Sequence, residues 1–139
     1  MVRLVLIAPP SPLRDTPDPN GMPLGLVSLG TVLKPLCEVK IIDGYSLAMT
    51  VEQVCEAALN HGPDLIGISL PFSFSETTGL EIAGILKNKR PDTPIILGGV
   101  QATFGFNKVI LDPAVDAVVA GEAERTAVDL MKIVLRSGW

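Results

Sequence analysis

Side chains that do acid–base or nucleophilic chemistry are scarce in this chain. It has one histidine, His61, and two cysteines, Cys37 and Cys55. A serine or cysteine nucleophile needs a base within reach. His61 follows a helical run and precedes an apolar one, which puts it at the edge of a sheet opposite the strand ends where sites form. The cysteines have neither metal-ligand nor redox spacing. They read as small buried residues of a reducing compartment, the cytoplasm. No cluster has the spacing of a zinc site. Asp43 and Glu122 are carboxylates at strand ends, but they stand on different loops, which argues against a glycosidase-like pair. The sequence instead concentrates glycine and hydroxyl groups. In "IILGGVQAT", residues 95–103, an apolar strand runs into Gly98-Gly99 and then into a helical pattern. Either the turn itself requires the pair, or something bulky lies against bare backbone there.

The elements that would position these residues are legible. Continuous apolar runs at 4–8, 39–43, 65–70, 95–97 and 117–120 read as strands covered on both faces. Helical patterns follow at 25–34, 51–60, 77–88 and 122–136. Pro23 suits the start of the first helix and Pro35 stops it. Thr50 with Gln53 forms a capping box, and Ser75 with Thr78 is expected to cap the third helix in the same way. Lys87, Lys89 and Arg90 crowd that helix's C-terminal end, where the dipole favours cations. Alternation of this kind predicts an α/β fold, a flavodoxin-like (Rossmann-like), doubly wound parallel sheet of five strands in the order 2-1-3-4-5, as one domain over 1–139.

The irregular stretch 9–23 is too long for a plain strand-to-helix turn, and ordered loops of that length tend to be functional. The apolar start at 1–8 meets Pro9, Pro10 and Pro12, so it is too short to span a membrane. A net charge of −4 and few aromatic residues argue against nucleic acid, which needs a basic face and stacking platforms.

In a doubly wound sheet, ligands sit beyond the carboxyl ends of the strands near the switch point. There stand Pro9-Pro10, Asp43-Gly44-Tyr45-Ser46, Ser69-Leu70-Pro71-Phe72-Ser73, Gly98-Gly99-Val100-Gln101 and Gly121-Glu122. A dinucleotide would want GxGxxG after the first strand, where the chain reads PPSPLR, although Asp43 stands where a ribose partner would. A phosphoacceptor domain would want aspartate in place of Ser69, and a flavin would want a phosphate loop where prolines stand. What remains is a large ligand laid over the edge, with a tail passing down between the strands.

The segments "LIAPPSP", "GMPLGLVSLGTVLK", "VKIIDG", "PDLIGISL", "RPDTPIILGGVQAT" and "VDAVVAGEAERT" span nearly the whole chain. In that order they resemble the cobalamin-binding domain that precedes the catalytic barrel of radical S-adenosylmethionine enzymes. The resemblance implies that the nucleotide tail of cobalamin (methylcobalamin or hydroxocobalamin) inserts beside Ser69, Leu70, Gly98 and Gly99, with Gly121 and Glu122 next to the tail. It also implies that Pro10, Leu24 and Gly25 lie near the corrin and that Gln101 takes a position often held by histidine in the radical enzymes. Relatives among mutases and methionine synthases carry an Asp-x-His-x-x-Gly loop whose histidine ligates cobalt. Residues 8–21 contain no histidine, so cobalamin is expected base-off and without a protein imidazole. The CxxxCxxC loop that holds a [4Fe-4S] cluster is also missing. The cluster and S-adenosylmethionine are therefore expected in a radical barrel domain, in the same or another chain, and this domain alone is not expected to be catalytic. The other reading is a non-catalytic flavodoxin-like domain that binds a nucleotide or a protein.

Overall fold

The computed structural model describes residues 1–13 and 15–139; Arg14, in the 9–23 loop, lies outside the described residues. Strands β1 (Arg3–Ala8), β2 (Glu38–Asp43), β3 (Leu65–Ser69), β4 (Ile95–Gly98) and β5 (Ala117–Val118) form one sheet in the order β2-β1-β3-β4-β5. Every pairing is parallel. The helices are α1 (Leu24–Leu33), α2 (Val51–His61), α3 (Ser73–Lys89), α4 (Val100–Phe104), α5 (Phe106–Val109) and α6 (Glu124–Ser137). This is the expected order.

Strand alternation divides the apolar residues between the two faces. Val5, Ile7, Ile66, Ile68, Ile95 and Leu97 pack with residues of α2 and α3 in one buried cluster. Leu4, Leu6, Ala8 and Leu65 pack with Leu26 and Leu33 of α1 and Met131 of α6 in another. Each fully buried Ile or Leu contributes about 1.5–3 kcal/mol, so the central strands hold both layers.

Local signals set the helix ends where chemistry is strong. The Thr50 hydroxyl accepts from the Gln53 N–H at 3.1 Å, and the Gln53 side chain accepts from the Thr50 N–H at 2.9 Å, completing the capping box. Gly62, at φ +64°, ends α2 in the left-handed conformation.

Three expected boundaries move by two residues or more. Helix α3 begins at Ser73 rather than 77, with extended Phe72 as its N-cap. Phe74 stacks on both Phe72 and Tyr45, and Phe72 lies tilted against Tyr45, with ring centroids 5.2–5.9 Å apart. That packing draws the first turn towards the loop after β2. Ser75 is therefore buried inside the helix and caps nothing, and the Thr78 hydroxyl donates instead to the Pro10 carbonyl at 2.8 Å. Helix α6 begins at Glu124, because Gly121 at φ +76° keeps the chain out of a helix there. Strand β5 is correspondingly short, ending at Val118.

Among the described residues no helix is long and apolar enough to cross a membrane. The capping box gives the fold its first test. Thr50→Ala is expected to lower unfolding free energy by about 1 kcal/mol, read as a lower urea midpoint at unchanged slope. An unchanged midpoint would show that the cap adds nothing to the folded state.

Candidate functional site

Residues 67, 69, 96 and 98 fall on the sheet face that looks towards α1 and α6, because their strand neighbours fill the opposite core. Register places Gly67 beside Ile96 and Ser69 beside Gly98. Two glycines and a serine leave that face without bulk. A cavity of about 240 Å³ runs down between the sheet and the two helices, from Ser69 and Gly98 at the carboxyl edge, past Gly67, to Leu65 and Met131. Gly67, Ser69 and Ile96 are only half-buried although they belong to interior strands. A second hollow of about 400 Å³ lies over the strand ends, bordered by Pro9, Tyr45, Phe72 and Val100. The two share Gly25, Leu26, Ser69 and Gly99. The result is a wide bowl at the switch point between β1 and β3, opening into a narrow apolar shaft.

The glycine pair divides its work. Gly99 has φ +96°, and a Cβ on it would stand 3.0 Å from both the N and the O of Leu70. The loops after β3 and β4 are joined there backbone to backbone: the Leu70 N–H donates to the Gly98 carbonyl at 2.7 Å, and the Gln101 N–H donates to the Leu70 carbonyl at 2.8 Å. Protein geometry alone therefore requires glycine at 99. Gly98 is different. Its nearest protein neighbour to a Cβ would be the Val119 carbonyl at 3.7 Å, an ordinary contact. Among the described residues no protein atom forbids a Cβ at 98; the open shaft is what its absence preserves.

The remaining expected residues separate into those at the site and those behind it. Leu24 is exposed and lines the bowl, and Glu122 is exposed at the mouth of the shaft. Gly121 also lines the mouth, where its N–H donates to the Thr103 hydroxyl at 2.9 Å. That hydroxyl in turn donates to the Gly99 carbonyl at 2.9 Å, tying the loops after β4 and β5 together. Leu70 is fully buried and acts through its backbone. Pro10 is buried and held to α3 through Thr78. The Gln101 side-chain amide donates to Glu76 Oε2 at 3.0 Å, and Lys108 pairs with Glu76 Oε1 at 2.6 Å. Lys108 first and Gln101 second hold the Glu76 carboxyl below its usual range. The clamp is thus complete above the ordinary carboxylate range and weakens as the pH falls through the lowered value.

His61 ends α2, where its carbonyl accepts from Arg3 Nη1 at 3.4 Å and its Nε2 lies 3.4 Å from Glu38 Oε1. Arg3 and Glu38 open β1 and β2, so His61 stands at the amino edge, across the sheet from the bowl. Asp43 accepts from the Ser46 N–H at 3.0 Å and shapes its own loop. The Asp18 N–H donates to the Ser46 carbonyl at 2.8 Å, which ties the 9–23 loop to the loop after β2; Gly21, Met22 and Pro23 border the bowl. Among the described residues no group of His, Cys, Asp and Glu is placed to hold a metal ion. Sequence reasoning passed over Gly67 and Thr103, whereas Tyr45 was among the strand-end residues it placed at the rim. A glycine inside a strand marks close approach of a ligand or backbone, and that signal was available in "DLIGIS".

A family model described as the B12 binding domain matches residues 10–131. An uncharacterized methyltransferase of Pyrococcus horikoshii is 30% identical over 134 residues, 94% of this chain and 29% of that protein. The anaerobic magnesium-protoporphyrin IX monomethyl ester cyclase of Rubrivivax gelatinosus is 30% identical over 100 residues, 70% of this chain and 18% of that protein. The chain thus spans less than a third of either relative. Among solved structures, the cobalamin-dependent S-adenosylmethionine radical enzyme OxsB, with aqua-cobalamin and S-adenosylmethionine bound, aligns with a TM-score of 0.81 at 23% identity, over 100% of this chain and 19% of that one. The response regulator TrrA of Thermotoga maritima aligns with a TM-score of 0.61 at 18% identity, over 96% of this chain and 99% of that one. At such identities these two show a shared fold. The family match takes in β2 to β5, the glycine pair and most residues of the bowl, and this chain belongs to the B12 binding domain family.

Proposed function

We propose that the chain is the cobalamin-binding module of a radical S-adenosylmethionine enzyme, most simply a methyltransferase, and that it holds cobalamin base-off with no histidine of its own at the metal. The observation that carries this reading is the bowl joined to a shaft. A flat macrocycle with a nucleotide tail has that shape, and Gly98 keeps the shaft open for no reason the protein itself supplies.

The residues fit the group. Leu24, Gly25, Gly21 and Met22 would face the corrin. Gly67, Ser69, Gly98, Gly121 and Glu122 would line the tail. Pro10, Leu70, Gly99 and Gln101 would set the walls from behind. Bound cobalamin supplies a cobalt–carbon centre for methyl transfer, chemistry that no side chain here provides. The chain's own part is to bind, to orient and to keep water from the buried tail. A tail held in the shaft would keep its base away from the metal, and His61 is at the opposite edge of the sheet. The iron–sulfur cluster and S-adenosylmethionine belong, in this reading, to a barrel domain in the same or another chain. The protein names among the relatives support this: a methyltransferase, a cyclase and a cobalamin-dependent radical enzyme. Cys37 and Cys55 are buried free thiols, Cys55 pushed up to about 11 chiefly by burial, which suits the cytoplasm. The other reading is a flavodoxin-like domain for a nucleotide or a protein partner. A receiver-like role lacks its aspartate, since Ser69 ends β3.

Gly98→Leu is expected to keep the circular dichroism of the parent and to lose hydroxocobalamin uptake, measured by equilibrium dialysis. Normal uptake would overturn the reading. Gly99→Leu is the less informative probe, because positive φ and the Leu70 backbone would destabilise the fold itself. Ser69→Ala is expected to weaken binding about fivefold, the scale of one neutral hydrogen bond at about 1 kcal/mol. An unchanged dissociation constant would make Ser69 a strand-ending residue only.

A further inference from the structure

The lining of the shaft carries a selectivity. Side chains able to hydrogen-bond stand only at its mouth: the Ser69 hydroxyl and the carboxylates of Glu122 and Glu124. Glu124 is already engaged, accepting from the Ser28 hydroxyl of α1 at 3.1 Å. Deeper, the walls are Leu6, Leu26, Ile96, Ala127, Leu130 and Met131. The floor is the sheet, and β3 is paired on both sides through this stretch, with β1 and with β4. Its backbone N–H and C=O groups are spent on neighbouring strands. Past the mouth, a group pushed into the shaft therefore meets hydrocarbon and one thioether and, among the described residues, no free side-chain donor.

Corrinoids differ in the base that ends the nucleotide tail. A purine base such as adenine carries an exocyclic amine and several ring nitrogens around its edge. A dimethylbenzimidazole has two methyl groups on its leading edge and, when off the metal, one free ring nitrogen. A phenol-type base has no ring nitrogen at all. Burying a polar group without a partner is costly, whereas the methyl-bearing edge gains from apolar burial.

We infer that the shaft selects among corrinoids by their lower base, accepting benzimidazole- and phenol-type tails and rejecting purine tails. This rests on the cobalamin reading proposed above and deepens it. The Ser69 hydroxyl at the mouth matches the single free nitrogen of the benzimidazole, while the part of a base that passes the mouth meets only Leu6, Leu26, Ile96, Ala127, Leu130 and Met131, where a purine's polar edge finds no partner. One or two buried polar atoms without partners correspond to about tenfold to a hundredfold in affinity.

The test is equilibrium dialysis of the chain, as it stands, against four corrinoids: cobalamin, its adenine-based analogue, its cresol-based analogue, and cobinamide, which has no lower base. Cobalamin and the cresol analogue are expected to bind within a few-fold of each other, with the adenine analogue at least tenfold weaker than cobalamin. Leu130→Asn, placed on α6 where the side chain is only half-buried, brings an amide into the shaft and is expected to narrow that gap. Equal affinity for the adenine and benzimidazole forms would overturn the selectivity and leave the cobalamin reading standing. Cobinamide binding as tightly as cobalamin would place the tail outside the shaft and overturn it as well. If none of the four binds, the cobalamin reading itself fails, and the selectivity with it.

Discussion

Two backbone hydrogen bonds hold the site open: Leu70 N–H to the Gly98 carbonyl, and Gln101 N–H to the Leu70 carbonyl. They extend the β3–β4 ladder past the formal end of both strands and fix where the loops part. Only glycine at 99 allows them, since any Cβ would collide with the Leu70 backbone. The lip of the shaft, the start of α4 and the bowl's border at Val100 all follow from that junction.

Around it, the protein stiffens the rim from outside the cavity. Thr103 links the loops after β4 and β5. Gln101 and Lys108 grip Glu76 and so fasten α4 and α5 to α3. Thr78 fastens α3 to Pro10. None of these side chains needs to touch a ligand. Together they let an exposed edge made of glycines keep one shape, which is what a binding surface of bare backbone requires. The interior, by contrast, stays soft in the chemical sense: apolar walls and missing side chains. Binding energy there would come from burial, with orientation set by a few polar groups at the mouth.

The fold was legible because each apolar run was continuous and each was followed by a helix-period pattern; strand order then followed from general rules of α/β sheets. Ser69 and Gly98 were legible as strand-end residues once that order was drawn. What local rules missed came from tertiary contact. Ser75 has the spacing of a helix cap, but the Phe72–Phe74–Tyr45 packing starts the helix earlier and buries it. Gln101 has no local signal for its partner, because Glu76 is 25 residues away in sequence. Gly67 was hidden for another reason. Inside an apolar run, a glycine reads as filler until its strand face is known, and only the packing of α1 and α6 shows that the face is hollow.

In the proposed reading, cobalamin would sit with its tail in the shaft and with no histidine of this chain at the metal. Electron paramagnetic resonance of the cobalt(II) form bound to the chain tests it most directly. The expected spectrum shows no hyperfine splitting from an axial nitrogen, and His61→Ala leaves it unchanged. Splitting that persists in His61→Ala would mean that the cofactor's own base stays on the metal and outside the shaft. Splitting that disappears in that variant would mean that His61 reaches the metal, against its place at the amino edge of the sheet.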